Sequence, residues 1–244
     1  MKLLAVDRGN SRTKVAFQNE HRELEIAVFN NWNDEPLIEF IAGKKFDASV
    51  MSSVEAGPII NISEVLSARG YFLLADNTVP IPVKNTYTTP HTLGTDRIAG
   101  AVGAWVLEGE KDVLLMDAGT CINYECIINN EYLGGAIAPG LMMRLRAMHE
   151  FTGKLPLLEL PPDQISLIGN STASCMLSGA VMGMVYEMQG LEQAYKAQYP
   201  SISVVLSGGD APYLGKYLKN SIFAPHKEVV LVGLLEILKF NLNV

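Results

Sequence analysis

The chain has 244 residues, 48% of them hydrophobic, and 26 acidic against 19 basic side chains leave a formal net charge of −7. An acidic chain without a Lys/Arg-rich tract is unsuited to gripping nucleic acid, whose affinity comes mainly from basic side chains that neutralise phosphates. The opening Met1–Asn10 is too short in apolar residues for a signal peptide, and the most apolar later stretch, Cys175 to Tyr186, falls short of the ~18–20 residues that cross a bilayer, so neither secretion nor a membrane is expected.

In chain order, the first half reads as strand (Leu3–Val6), tight turn, strand (Thr13–Phe17), strand (Leu24–Phe29), helix (Glu35–Ala42), strand (Ala48–Ser52), helix (Pro58–Ala68) and strand (Tyr71–Ala75). Strands alternating with short helices indicate the α/β class. Ile98, Val102 and Trp105 recur at helical spacing after Thr95, whose hydroxyl is expected to cap the helix, and Gly109 is expected to stop it. The opening pattern then returns. Leu3–Asp7-Arg8-Gly9-Asn10-Ser11 and Val113–Asp117-Ala118-Gly119-Thr120 both run apolar strand, Asp, any residue, Gly, polar residue, at an offset of 110 residues. An internal duplication explains this most simply. Two α/β lobes, 1–110 and 111–244, are therefore expected to face each other across a cleft, with the closing helix in a position to pack back on the first lobe. The second lobe continues with a glycine-rich segment, Gly134–Gly140, a helix bearing Leu141, Leu145 and Met148, and a long helix from Ser171 to Tyr199 ended by Pro200. A strand (Ile202–Leu206), a turn (Ser207–Asp210) and an apolar helix (Val229–Phe240) close the chain.

An odd count of three cysteines, Cys121, Cys126 and Cys175, does not suit a disulfide framework and points to the cytoplasm. Cys121 and Cys126 lie five apart in one strand, on opposite faces, and are expected to be ordinary thiols. The four histidines have no ligand spacing and read as structural.

A strand ending in Asp-x-Gly has a chemical use. Glycine lets backbone approach a ligand closely, exposed N–H groups and a neighbouring hydroxyl or amide bind phosphate oxygens, and the carboxylate holds a phosphate-bound cation directly or through water. One copy is also an ordinary turn; two at matching places suggest a pair of loops gripping one chain of phosphates. Arg12 and Lys14 follow the first turn, either as phosphate partners or as a solvated strand face. Neither Gly43-Lys44 nor Gly153-Lys154 is followed by the Ser/Thr of a P-loop, and no Gly-x-Gly-x-x-Gly is present, so a nucleotide site here is of neither the P-loop nor the Rossmann kind. At Gly94-Thr95-Asp96-Arg97 a carboxylate and a guanidinium open a helix. Asp96 is either a carboxylate favoured by the helix dipole or the base that accepts a proton from an acceptor hydroxyl, with Arg97 binding an anionic part of the substrate. Ser207-Gly208-Gly209-Asp210 is either a plain turn or backbone brought close to a base or ribose.

Together these residues resemble the type III pantothenate kinases, whose fold is the duplicated acetate kinase/actin/Hsp70-like one. The resemblance runs in order along the chain: Asp7-x-Gly9-Asn10-Ser11-x-x-Lys14, Tyr87, Gly94-x-Asp96-Arg97, Asp117-Ala118-Gly119-Thr120, Gly134-Gly135-x-Ile137-x-Pro139-Gly140, Thr172 before Ser178-Gly179, and Gly208-Gly209-Asp210. It implies duplicated actin-like, ribonuclease H-like lobes with a central ATP cleft, and ATP-dependent phosphorylation of pantothenate, the first step of coenzyme A synthesis. It also implies a homodimer using Mg²⁺ with ATP and a monovalent cation, K⁺ or NH₄⁺. By position, Asp7, Arg8, Gly9, Asn10, Ser11, Arg12, Thr13 and Lys14 form the first phosphate loop, with Asp7 toward Mg²⁺ or its waters. Asp117 binds the monovalent cation and Thr120 the ATP phosphates. Asp96 is the general base; Tyr87, Gly94, Thr95, Asp96 and Arg97 line the pantothenate pocket, and Thr172 reaches it from the partner subunit. Three departures stand out: Ser11 where Thr is commoner, Ser171 where Asn usually precedes Thr172, and Glu125 where Asp is usual. The alternatives to this reading are a kinase of another small hydroxylated acid or sugar on the same fold, and a non-catalytic nucleotide-responsive regulatory protein.

Overall fold

Apolar runs broken by turn residues become two sheets in the computed structural model, which describes residues 1–9, 12–31, 33–53, 60–218, 224–225 and 228–244. The elements in chain order are β1 (Leu3–Arg8), β2 (Arg12–Gln18), β3 (Leu24–Asn30), α1 (Glu35–Ala42), β4 (Ala48–Ser53), α2 (Ile60–Ser67), β5 (Tyr71–Leu74), β6 (Lys84–Asn85) and α3 (Thr95–Leu107). There follow β7 (Val113–Ala118), β8 (Cys121–Ile128), β9 (Glu131–Pro139), α4 (Leu141–Glu150), α5 (Thr172–Gln198), β10 (Ser203–Ser207), α6 (Ala211–Leu214), β11 (Ala224–Pro225) and α7 (Val229–Leu242).

The chain divides into two compact units. One comprises Met1–Glu110, Asn130–Leu133 and Val229–Val244, the other Lys111–Asn129 and Gly134–Glu228. In the first, the sheet order is β3-β2-β1-β4-β5, with β1, β2 and β3 antiparallel and β4 and β5 parallel to β1. Leu4, Val6, Val15 and Met51 point from one face into a core completed by Leu37 and Ile41 of α1 and Leu66 of α2. Each such side chain removed from water stabilises the fold by about 1.5–3 kcal/mol. On the other face α7 packs against β1, β4 and α3. The two helices meet where both lack side chains: a Cβ on Gly103 would stand 1.9 Å from the Val229 carbonyl oxygen, and one on Gly233 only 1.7 Å from that of Ala99.

The second unit repeats the scheme, with β8-β7-β10-β11 in the order of β2-β1-β4-β5 and β9 beside β8. Its core lies among Leu114, Met116, Tyr124, Val181, Met184 and Leu206. The duplication extends to register. Asp7 at the end of β1 stands opposite Ser52 of the neighbouring parallel strand, and Asp117 at the end of β7 stands opposite Ser207.

Two local expectations change. Thr95 does not cap α3: Gly94 is the capping residue, Thr95 is the first helical residue, and its hydroxyl lies 2.9 Å from that of Ser52, which is fully buried. The glycine-rich Gly134–Gly140 segment is mostly the end of strand β9. The predicted helix start at Pro58 lies outside the described residues, as does His226.

Candidate active site

The first loop is built by β-strand alternation. Asp7 faces Lys14 across the β1–β2 ladder, so the two share one face of the sheet, while Arg8 and Thr13 share the other. On that other face Arg8 is buried and donates to Asp34 at 2.8 Å. The Thr13 hydroxyl donates to Asn31 at 2.7 Å, and the Asn31 amide in turn donates to the Gly9 carbonyl at 2.6 Å. Thr13 and Asn31 thus hold the turn from behind. Arg12 is exposed and Lys14 half-buried. Asn10 and Ser11 lie outside the described residues.

The second loop is one residue shorter and closes with Gly119 N–H donating to the Cys121 carbonyl at 2.9 Å. Backbone crowds it: a Cβ on Gly140 would stand 2.2 Å from the Gly119 oxygen, and one on Gly208, whose φ is +98°, would stand 2.2 Å from that of Ala118. Side chains are excluded at both places, which explains why both segments are glycine-rich. Thr120 is exposed at the tip and Asp117 half-buried behind it.

Four of the expected substrate residues gather at the start of α3. Asp96 and Arg97 lie in its first turn, and the Arg97 guanidinium carbon stands 5.7 Å from the centroid of the Tyr87 ring. A guanidinium stacked on an aromatic face keeps its planar fork in orientation for a carboxylate. Tyr87 is backed by the fully buried Tyr132, ring centroids 6.1 Å apart, and its neighbour Thr86 donates its hydroxyl to the Tyr132 carbonyl at 2.8 Å. The Asp96 carboxylate, in the first turn of α3, folds back over Gly94, where a Cβ would meet its Oδ1 at 2.5 Å. Gly94→Ala therefore displaces the carboxylate and leaves the helix standing. We expect kcat to fall by about 10²-fold, the cost of a misplacement near 1 Å, with the thermal midpoint only slightly lowered, because alanine caps a helix less well than glycine; a midpoint loss without a rate loss counts against this geometry.

Thr172 is exposed at the first position of α5. Ser171 caps that helix: its hydroxyl accepts from Ser174 N–H at 3.2 Å while the Ser174 hydroxyl accepts from Ser171 N–H at 2.9 Å. A serine in this place keeps a full capping box, so the departure from Asn does not cost the helix its start. Glu125 is fully buried on β8. All three cysteines are free, and burial pushes the Cys126 thiol up to about 12.

Burial also raises the Asp210 carboxyl above its ordinary value of 3.8. A raised folded-state value means that the ionised group opposes folding at neutral pH, an effect absent below the unfolded value and growing as pH rises through the folded one. Asp210→Asn should accordingly raise the thermal midpoint at pH 7 and lose that advantage near pH 4. A variant less stable than the parent at pH 7 would contradict the assignment.

Sequence reasoning missed Ser52, Asn31 and Asp34, all brought in by strands or loops 18 or more residues away, with no motif of their own. As to cations, no group of three His, Cys, Asp or Glu side chains that could hold a metal is formed among the described residues. Asp7 and Asp117 are single carboxylates at strand ends, hard oxygen donors suited to a cation that keeps waters and phosphate oxygens as its other ligands.

Among solved structures, the chain resembles a Baf family protein of Campylobacter jejuni (TM-score 0.62, 21% identity, covering 99% of this chain and 100% of that one). It also resembles the inorganic polyphosphate/ATP-glucomannokinase of Arthrobacter sp. strain KM (TM-score 0.52, 13% identity, 100% and 99% covered). The fold is thus that of the actin-like kinases, with duplicated ribonuclease H-like lobes. Within that class the family model for type III pantothenate kinase matches residues 3–194. The type III pantothenate kinase of Christiangramia forsetii is 42% identical over 243 residues, 98% of both chains. The chain belongs to the type III pantothenate kinase family.

Proposed function

We infer that this enzyme transfers the γ-phosphoryl group of ATP to the primary hydroxyl of pantothenate, giving 4′-phosphopantothenate and ADP, the first step of coenzyme A synthesis. The observation that carries the reading beyond family membership is the trio at the start of α3: Arg97 stacked on Tyr87, with the Asp96 carboxylate beside it.

In this mechanism Arg97 and Tyr87 hold the carboxylate end of pantothenate, and Gly94 and Thr95 line the pocket. Asp96 accepts the proton of the hydroxyl as its oxygen bonds to the γ-phosphorus, and the bond to the ADP oxygen breaks. Asp7, Gly9, Asn10, Ser11, Arg12 and Lys14 bind ATP phosphates from the first loop, with Arg8 and Thr13 supporting it, and Thr120 binds them from the second. Asp7 would hold the divalent ion that accompanies ATP, taken as Mg²⁺, directly or through water, and the ion would there supply neutralisation of the phosphate charge. Asp117 holds the monovalent cation, K⁺ or NH₄⁺.

We further propose a homodimer in which Thr172 contacts pantothenate in the partner subunit. Phe151, Leu157, Leu167 and Ile168, all exposed, lie within four residues in sequence of Leu155 or Asn170, which line a hollow with Thr172, and exposed large apolar side chains suit an interface. Three unpaired cysteines support a reducing compartment, the cytoplasm; none of the helices among the described residues is long and apolar enough to cross a membrane. The test is ADP release dependent on pantothenate, measured with and without Mg²⁺ and with K⁺ or Na⁺. Turnover that needs Mg²⁺ and rises with K⁺ is expected, and a folded protein inert toward pantothenate under all these conditions refutes the reading.

A further inference from the structure

The motif residues account for the loops but not for a polar network behind the second one. Arg144, in the first turn of α4, donates through Nε to the Pro139 carbonyl at 2.8 Å and through a terminal nitrogen to Glu187 Oε2 at 2.6 Å. The other Glu187 oxygen accepts from the Tyr124 hydroxyl at 2.8 Å. Tyr124 is fully buried on β8 and Glu187 lies on α5, so the network ties three elements together.

The Pro139 carbonyl and the Gly140 N–H belong to one peptide group, which is planar and holds the two bonds pointing in opposite directions. Arg144 grips the carbonyl end. The N–H end donates to the Thr120 carbonyl at 3.1 Å. One rigid plane therefore runs from a guanidinium to the tip of the second loop, and it is pressed so close that a Cβ on Gly140 would also stand 2.6 Å from the Thr120 oxygen. Rotating the plane would withdraw the N–H from Thr120 and push the carbonyl into its neighbours.

We propose that Arg144 is a positioning residue for the Gly119–Thr120 loop, oriented by Glu187 and, through Glu187, by Tyr124. The proposal rests on the reading of that loop as the second ATP-phosphate site. Two further facts favour it. Burial, and then the Glu187 carboxylate, raise the Tyr124 phenol well above its ordinary range, so it stays a donor to Glu187 at any working pH. A half-buried ion pair is also a weak source of stability, because desolvation offsets most of the attraction, whereas the direction it imposes on a planar fork is not replaced by an apolar pair. Lysine keeps the charge of arginine but has one nitrogen, which cannot serve Pro139 and Glu187 in two fixed directions.

The test compares Arg144→Lys, Arg144→Met, Glu187→Gln and, as the reference for the loop itself, Thr120→Ala. Steady-state kinetics are measured with ATP and pantothenate varied in turn, alongside the thermal midpoint. Arg144→Lys is expected to raise the KM for ATP about tenfold, a loss in keeping with a loop displaced by a fraction of an ångström, while the KM for pantothenate stays within about twofold. Glu187→Gln should move the same constant in the same direction by less, because its amide oxygen can still accept from Tyr124 or from Arg144. Should Arg144→Met fail to fold, the lysine and glutamine variants carry the comparison. An unchanged KM for ATP in both of these, with Thr120→Ala raising it, overturns the proposal and leaves the loop reading intact. An unchanged value in Thr120→Ala overturns the loop reading and the proposal with it. Equal increases for both substrates, or a lower midpoint with normal kinetics, mark a merely structural network and also overturn it.

Discussion

Asp96→Asn is expected to lower kcat by about 10²–10⁴-fold, the range a positioned general base contributes, while the protein remains folded. The reason for the separation is local. Asp96 lies in the first turn of α3, one residue beyond the start of the helix, and the capping position belongs to Gly94, so the amide forfeits mainly a favourable interaction with the helix dipole, about 0.3–1 kcal/mol. The KM for pantothenate should change little, since Arg97 and Tyr87 are intact. Circular dichroism and the thermal midpoint provide the control, and ADP release provides the readout. A variant retaining more than a tenth of the parental kcat would remove Asp96 from the chemistry and leave it as a helix-start carboxylate.

The largest expected effect on stability comes from Gly233→Ala. Its new methyl group would fall 1.7 Å from the Ala99 carbonyl oxygen and 2.7 Å from its carbon. These are backbone atoms of a buried helix, so no side chain can swing aside, and α3 and α7 must separate. Overpacking of flexible cores costs about 1–3 kcal/mol, and a clash between two backbones belongs at or above the top of that range. For a chain of this size that lowers the thermal midpoint by roughly 6–12 °C. Gly190→Ala is the matched control, because a Cβ there meets nothing within 4 Å and alanine in a helix is favoured over glycine by about 1 kcal/mol. Equal midpoints for the two variants would contradict the close crossing.

Much of this architecture was legible because it is local and repeated. Asp7-x-Gly9 and Asp117-x-Gly119 each close a strand-turn-strand unit whose members are neighbours in sequence, and a second copy turns an ordinary turn into a pattern. Asp96 and Arg97 were legible for a similar reason, being adjacent at a helix start. What escaped depends on partners distant in sequence. Thr95 has the side chain of a helix cap, yet its hydroxyl is drawn to Ser52, 43 residues earlier, and the cap passes to Gly94. Arg8 and Thr13 sit within the phosphate-loop motif, but the two-residue period of β1 and β2 turns them to the face where Asp34 and Asn31 wait. Arg144 and Glu187 are likewise 43 residues apart, and neither carries a local sign that the other exists.

The placement of α7 also bears on how the chain is made. It is synthesised after every other element of this sequence, yet it packs against α3, β1 and β4 of the first unit. At about 5–20 residues per second, the residues between the end of α3 and the start of α7 take roughly 6–25 s to emerge. Throughout that interval the glycine seam of α3 and one face of β1 have no helix to cover them. The second unit runs from Lys111 to Glu228 with one short interruption, and it is complete on the ribosome before α7 exists. The residues up to Glu110 therefore belong to a unit that cannot close until the second unit has been translated.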